Sequence, residues 1–132
     1  MIFVDTNVIV DLTASEQAWR DWSLDRLSEA LERGPVLINA IVFAELASRH
    51  RSVESLETYL TDLRLTMEPI PRPVLFRAGL IFAEYKHTGG PKLNVLPDFF
   101  IGAHAEHLGA QLLTRDTRRY RTYFPTVELI TP

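Results

Sequence analysis

The chain has no cysteine. Disulfides, thiolate metal sites and a cysteine nucleophile are therefore excluded, and any bound metal must take oxygen or imidazole ligands. No apolar run approaches the roughly 18 residues that a membrane span needs. The start, Met1-Ile2-Phe3-Val4-Asp5, lacks the basic region and long apolar stretch of a signal peptide, so a cytoplasmic protein with no membrane partner is expected. There is no excess of basic charge: 14 Lys and Arg against 17 Asp and Glu give a net charge of -3. That balance argues against a strongly basic nucleic-acid binder, although a local cluster can still steer a polyanion. Also missing are a Gly-x-Ser-x-Gly elbow, a Gly-x-x-x-x-Gly-Lys phosphate loop and a Gly-x-Gly-x-x-Gly fingerprint, which removes three common routes to catalysis or nucleotide binding. No repeat or low-complexity segment occurs, and the one glycine- and proline-rich stretch, Thr88-Gly89-Gly90-Pro91, reads as a loop. What remains is an ordinary globular composition, 46% hydrophobic and 23% charged over 132 residues, which predicts one domain spanning 1–132 with one core.

Short apolar runs at Ile2-Phe3-Val4, Val36-Leu37-Ile38, Leu65 to Ile70, Gln111-Leu112-Leu113 and Val127 to Ile130 predict five strands. Helical stretches lie between them. Glu16 to Arg33 carries Leu24, Leu27 and Leu31 on one stripe, and Val74 to Lys86 carries Leu75, Ala78, Phe82 and Tyr85 on another. Ser15 and Ser52 suit N-caps, Pro97 suits a first helical position, and Gly34 and Gly109 suit the residue after a helix end. The alternation implies an α/β fold in three layers, a mainly parallel five-stranded sheet with helices on both faces. Ligands of such sheets bind beyond the carboxyl ends of the strands.

Most acidic residues have an ordinary explanation. Asp21, Asp25 and Glu29 follow one another at i+4 on a mixed-charge helix and read as a solvated face. Four others stand in surroundings that disfavour charge. Asp5 closes the first apolar strand, and Asp116 follows the fourth, Gln111-Leu112-Leu113-Thr114, so both lie at carboxyl strand ends. Glu45 is the only charge in Ile38-Asn39-Ala40-Ile41-Val42-Phe43-Ala44-Glu45-Leu46-Ala47, a helix apolar enough to be packed nearly all round. Asp98, within Leu96-Pro97-Asp98-Phe99-Phe100-Ile101-Gly102-Ala103, falls in the first turn of a helix, where the dipole favours negative charge. Taken singly, Asp5 and Asp98 can be helix caps, Glu45 half of a buried ion pair and Asp116 a turn residue. If they converge, four ionised carboxylates repel one another unless divalent cations neutralise them, and an all-oxygen site selects Mg²⁺ or Mn²⁺. Such a site suits phosphodiester hydrolysis by an ion-activated water, without a protein nucleophile. Thr6, Asn7 and Thr114 flank the acids with short neutral side chains that can orient carboxylates or hold the water.

Asp5-Thr6-Asn7 after a short strand, the isolated Glu45, the Asp98 segment and Leu113-Thr114-Arg115-Asp116 together resemble the PIN-domain ribonucleases, and most of all the VapC toxins of toxin–antitoxin modules. The match runs in order over nearly the whole chain. The resemblance implies a Mg²⁺-dependent endoribonuclease in which Asp5 and Asp98 ligate metal and Glu45 and Asp116 complete the acidic cluster. It also implies a homodimer and a VapB-type antitoxin whose tail enters the same groove and blocks it. Gly102 departs from the alanine that family members often carry, a difference expected to alter helix packing rather than chemistry.

For an RNA substrate, Arg115, Arg118, Arg119 and Arg121 offer four guanidinium groups beside Asp116, a local positive field suited to a phosphate backbone. Lys86, His87 and Lys92 form a second basic group, with Tyr85, Tyr120 and Tyr123 available for stacking on bases. His104 and His107 lie six and nine positions after Asp98, off its helical face, and His50 sits in a basic helix end, so no histidine is expected on a metal. Two other readings place Asp5 after a first parallel strand: a haloacid-dehalogenase-type phosphohydrolase using Asp5, and an acceptor-aspartate signalling domain. Asn7 stands where that phosphatase class resembles Asp-x-Asp-x-Thr. A catalytically silent interaction scaffold that keeps the acids for folding is a further alternative.

Overall fold

A computed structural model describes residues 1–90 and 95–132. Lys92 and part of the glycine-proline loop lie outside the described residues. The chain begins with β1 (Ile2–Val4), α1 (Thr6–Asp11), α2 (Gln17–Arg33), β2 (Val36–Ile38) and α3 (Ala40–Leu46), followed by a 3₁₀ turn at Ala47–Arg49. It continues through α4 (Val53–Asp62), β3 (Thr66–Met67), α5 (Arg72–His87), α6 (Leu96–Leu108), β4 (Gln111–Leu113), α7 (Arg118–Tyr123) and β5 (Leu129–Ile130). The five strands form one parallel sheet in the order β3-β2-β1-β4-β5. This is the α/β layering expected from alternating strands and helices.

The order places β1 at the centre, where Phe3 pairs with Leu37 on one side and Leu112 on the other. Every residue of β1 is buried, as a strand covered on both faces requires. Asp5 extends this ladder by one step, its N–H donating to the Leu113 carbonyl at 2.9 Å. The carboxyl ends of β1 and β4 therefore open at the same level, and Asp5 and Thr114 become neighbours despite 109 residues of separation.

Several boundaries differ from expectation for physical reasons. β3 and β5 shrink to two residues each; β3 is a sheet edge whose two residues are both exposed, so little burial supports a longer strand. Ser15 does not cap α2, whose N-cap position is Glu16 with no side-chain cap bond. The buried face of α2 is Ser23, Leu27 and Ala30, leaving Leu24 50% exposed, because α2 is turned by its contact with Asp11 of α1. In α5 the buried residues are Val74, Ala78 and Ile81, and Leu75 faces out. Ser52 does cap α4, accepting from Ser55 N–H at 3.1 Å, and Gly109 ends α6 in the left-handed region at φ 63°.

Gly102 has a packing role. A Cβ there would overlap the ring of Phe124, which is buried at the end of α7. The missing methyl allows α6 and the residue closing α7 to approach, and Phe124 also packs against Phe99 with ring centroids 6.4 Å apart.

Candidate active site

Asp5 occupies the N-cap position of α1, yet its side chain caps nothing. It points instead into a set of donors. Thr114 Oγ1 donates to Asp5 Oδ2 at 2.7 Å, the Tyr120 hydroxyl donates to the same oxygen at 3.0 Å, and Asn7 Nδ2 does so at 3.2 Å. None of these side-chain bonds uses Oδ1. Burial drives the Asp5 carboxyl up to about 6; the Thr114 and Tyr120 hydroxyls pull it down, and the nearby charge of Glu45 adds to the rise. Tyr120 titrates well above the usual tyrosine range, because it is buried and faces Asp5, Asp98 and Asp116, so it remains a proton donor.

Asp98 projects from the first turn of α6, next to Pro97, and its side chain keeps 23% of its exposure. Arg119 Nη1 pairs with Asp98 Oδ2 and reaches Asp116 Oδ2 at 3.4 Å. Burial again is the main cause that lifts the Asp98 carboxyl, here to about 7, reinforced by Asp5 and opposed by Arg119. The charge of Asp116 adds a smaller upward push. Asp116 itself follows Thr114, whose Oγ1 accepts its backbone N–H at 3.0 Å, and its side chain is 41% exposed.

Glu45 differs from its expected setting. The helix is not packed all round: Val42 and Leu46 are buried, whereas Ala44 and Glu45 are exposed. The carboxylate has a partner nonetheless, since Thr6 Oγ1 donates to Glu45 Oε1 at 2.7 Å. The four acids thus stand around one sheet end. Asp98 feels the charges of Asp5 and Asp116, and Asp5 feels that of Glu45. Among the described residues no three acid or imidazole side chains are close enough to form a ready-made metal cage. The donors present are nevertheless of the kind that hard divalent cations take, carboxylate oxygens alone, and two of them are raised well above the ordinary carboxylate value, by burial first and neighbouring charge second. In donor chemistry the residues fit Mg²⁺ or Mn²⁺, with Arg119 supplying positive charge at the same place.

The four arginines do not form one free field. Arg115 is locked inward: Nη2 donates to Asp11 Oδ1 at 2.7 Å, Nε lies 2.6 Å from Oδ2, and the guanidinium stacks 4.4 Å from the Trp19 ring centroid. Asp11 is 2% exposed and also accepts from Ser23 at 2.8 Å, which ties α1, α2 and the loop after β4 together. Arg118 and Arg121 are exposed on α7. Arg118 and Arg119 line a cleft of about 570 Å³ with Asp116, Tyr85, Thr122 and Tyr123. Tyr120 is fully buried, so it cannot stack on a base; Tyr85 and Tyr123 meet edge to face at 5.9 Å on the cleft wall. His104 is buried with Nδ1 3.1 Å from Asn39 Nδ2, and Asn39 caps α3 by accepting from the Ile41 and Val42 N–H groups. Asp11 was not legible as a site residue, and Tyr120, expected to stack on bases, instead donates to Asp5 from the core. The signal for Tyr120 was its position four residues before Phe124 on an otherwise basic helix, which marks an inward face.

A family model described as PIN domain matches residues 2–125. Solved structures share the fold: VapBC2 from Rickettsia felis bound to a promoter DNA fragment aligns at TM-score 0.71 and 22% identity, over 99% of this chain and 98% of that one. VapBC-1 from nontypeable Haemophilus influenzae aligns at 0.70 and 20%, over 99% and 98%. A toxin–antitoxin complex from Klebsiella pneumoniae aligns at 0.66 and 24%, over 100% and 98%. No curated protein matches the chain in sequence.

Proposed function

The chain belongs to the PIN-domain family, and from that premise we propose that it is a divalent-metal-dependent endoribonuclease, the toxin of a toxin–antitoxin pair. The observation that carries the reading is the pairing of Asp5 and Asp98: two carboxyls on different elements, each raised chiefly by burial, with the charge of Asp5 raising Asp98 further. A divalent cation resolves that crowding. Asp5 and Asp98 would hold Mg²⁺ or Mn²⁺, with Glu45 and Asp116 as the outer acids of the cluster. When bound, the ion supplies an acidified water and a positive charge against the oxygens of a phosphodiester.

The chain's own residues do the rest. Thr114, Tyr120 and Asn7 fix Asp5 through Oδ2, so its other oxygen is presented in one direction. Asn7 also accepts the Arg115 N–H at 3.2 Å, which holds the Thr114–Asp116 segment in register with α1. Thr6 keeps Glu45 turned toward the site. RNA would run over α7, with Arg118 and Arg121 on phosphates and Tyr85 and Tyr123 beside a base in the cleft. Arg115, engaged with Asp11 and Trp19, takes no part in that grip.

A VapB-type antitoxin is supported by the structural neighbours, which are toxin–antitoxin complexes. A homodimer is supported by the outward face of α5, where Leu75, Phe76 and Leu80 are 43%, 70% and 54% exposed. Among the described residues no helix is long and apolar enough to cross a membrane.

The test is sequencing of the fragments formed when purified protein meets total cellular RNA with and without Mg²⁺, alongside Asp5→Asn and Asp98→Asn. Each variant removes a carboxylate at constant volume, and both should fold yet give no Mg²⁺-dependent ends. Full cleavage by either variant would refute the assignment. Absence of cleavage by the wild type would favour the silent scaffold, in which Arg119 simply neutralises the acids.

A further inference from the structure

Two arginines of the same segment are held in different ways. Arg115 donates to one Asp11 oxygen through Nη2 with Nε close to the other, lies on the Trp19 ring and faces a carboxylate that is only 3% exposed. Such a pair is held in place by Asp11: Arg115 itself is 31% exposed, but its departure would strand a buried carboxylate charge. Arg119 makes both of its contacts through one nitrogen, Nη1, and all three partners remain open to water: 25% for Arg119, 23% for Asp98 and 41% for Asp116. Arg119 also lines the cleft shared with Arg118, Tyr85 and Tyr123. A single-nitrogen, solvent-touched pair is cheap to exchange, and a guanidinium at a cleft wall is suited to bidentate phosphate recognition.

We propose that Arg119 is an exchangeable counter-ion: it neutralises Asp98 and Asp116 in the metal-free protein, is displaced when a divalent cation takes those carboxylates, and then turns into the cleft to receive the RNA phosphate. The inference rests on the metal-dependent nuclease reading above. One guanidinium cannot serve both acids and substrate at full strength, so occupation of the acids by metal frees it. Metal and RNA thereby favour each other, a coupling that is reciprocal by thermodynamic necessity. In this scheme the protein avoids presenting a bare acid cluster, which would repel RNA, whenever metal is absent.

The experiment titrates Mg²⁺ into wild type, Arg119→Gln and, as a control for net charge, Arg72→Gln, whose side chain lies exposed on α5. Calorimetry gives the affinity, and NMR of the arginine side-chain N–H groups follows Arg119 itself. The wild type should lose the Arg119 ion-pair signal in step with Mg²⁺ saturation. Arg119→Gln should bind Mg²⁺ on the order of 5- to 10-fold more tightly than wild type, the range of ordinary site coupling, while Arg72→Gln should match wild type. An Arg119 signal unmoved at saturation overturns the proposal, as does an affinity in Arg119→Gln that equals or falls below wild type. Both of those outcomes leave the nuclease reading standing, since metal still binds. Failure of Mg²⁺ to bind any of the three proteins at millimolar concentration overturns both.

Discussion

Replacing Asp98 by Asn should make the metal-free protein more stable at alkaline pH. The Asp98 carboxyl is raised from 3.8 to about 7, first by burial and then by the charge of Asp5. A group that binds its proton more tightly when folded contributes stability below its unfolded pKa, and that contribution is lost as pH climbs to the folded value. Here the loss begins near 3.8 and is complete above about 7. At about 1.4 kcal/mol per pH unit the displacement corresponds to roughly 4 kcal/mol, and screening of a side chain that is 23% exposed lowers this to about 3 kcal/mol. Asn carries no such pH dependence. The stability of Asp98→Asn relative to wild type should therefore rise by about 3 kcal/mol between pH 4 and pH 8, or on the order of 10 °C in Tm for a domain of this size. Urea unfolding across that range in the presence of a chelator measures it. Mg²⁺ should then reverse the order at pH 8, because it stabilises only a protein that binds it. Parallel pH curves for the two proteins would refute the reasoning, for they would mean that Arg119 fully satisfies Asp98 and that no crowding exists.

Three further outcomes can be measured. Gly102→Ala should cost about 1 to 3 kcal/mol in chemical denaturation, the usual range for overpacking, because the new methyl meets the buried Phe124 ring; a neutral effect would show that α7 can retreat freely. His104 is pushed below its ordinary value of 6.5 mainly by burial, so the unfolded chain takes up the proton first. Stability should fall as pH drops below 6.5 and the slope should flatten in His104→Gln; an unchanged acid limb would assign it to other groups. Arg118→Ala with Arg121→Ala should weaken RNA binding and reduce the salt slope by about 1 per lost phosphate contact, whereas an unaltered slope would move the RNA path off α7.

The fold was legible because its signals are strong and redundant. Five apolar runs separated by helical patterns leave few arrangements other than a parallel sheet, and glycines at positions 34 and 109 marked two helix ends. Helix faces were less legible. Leu24 and Leu75 lie on the sequence's most apolar stripes but face water, since the rotation of α2 and α5 is set by tertiary partners such as the Ser23–Asp11 bond. At the site, the four acids stood out as charges in apolar settings, and Asp5, Asp98 and Asp116 occupy the strand ends and helix start anticipated for them. The environment of Glu45 was misjudged, because apolar composition does not reveal which side of a short helix is covered. Which arginine is free was illegible altogether. Arg115 and Arg119 differ in role through contacts with Asp11, 104 residues away from the former, and Asp98, 21 residues away from the latter, and no local pattern encodes such distances.

The division of labour within α7 follows from helical geometry. Arg119 and Tyr120 are adjacent in sequence, so their side chains leave the axis about 100° apart. One direction leads into the core, where the Tyr120 hydroxyl meets Asp5, and the other leads to the rim, where Arg119 meets Asp98 and Asp116. A single short helix therefore serves both halves of the acid cluster with opposite kinds of partner: a neutral donor that cannot leave and a cation that can. Six residues are too few to hold such a helix by their own propensity. What holds it is burial of Tyr120 and Phe124, and Phe124 can seat only because Gly102 carries no side chain. The departure at position 102 is thus connected to the chemistry through packing. The glycine sets the depth of α7, and that depth sets the reach of both Tyr120 and Arg119 to their carboxylates.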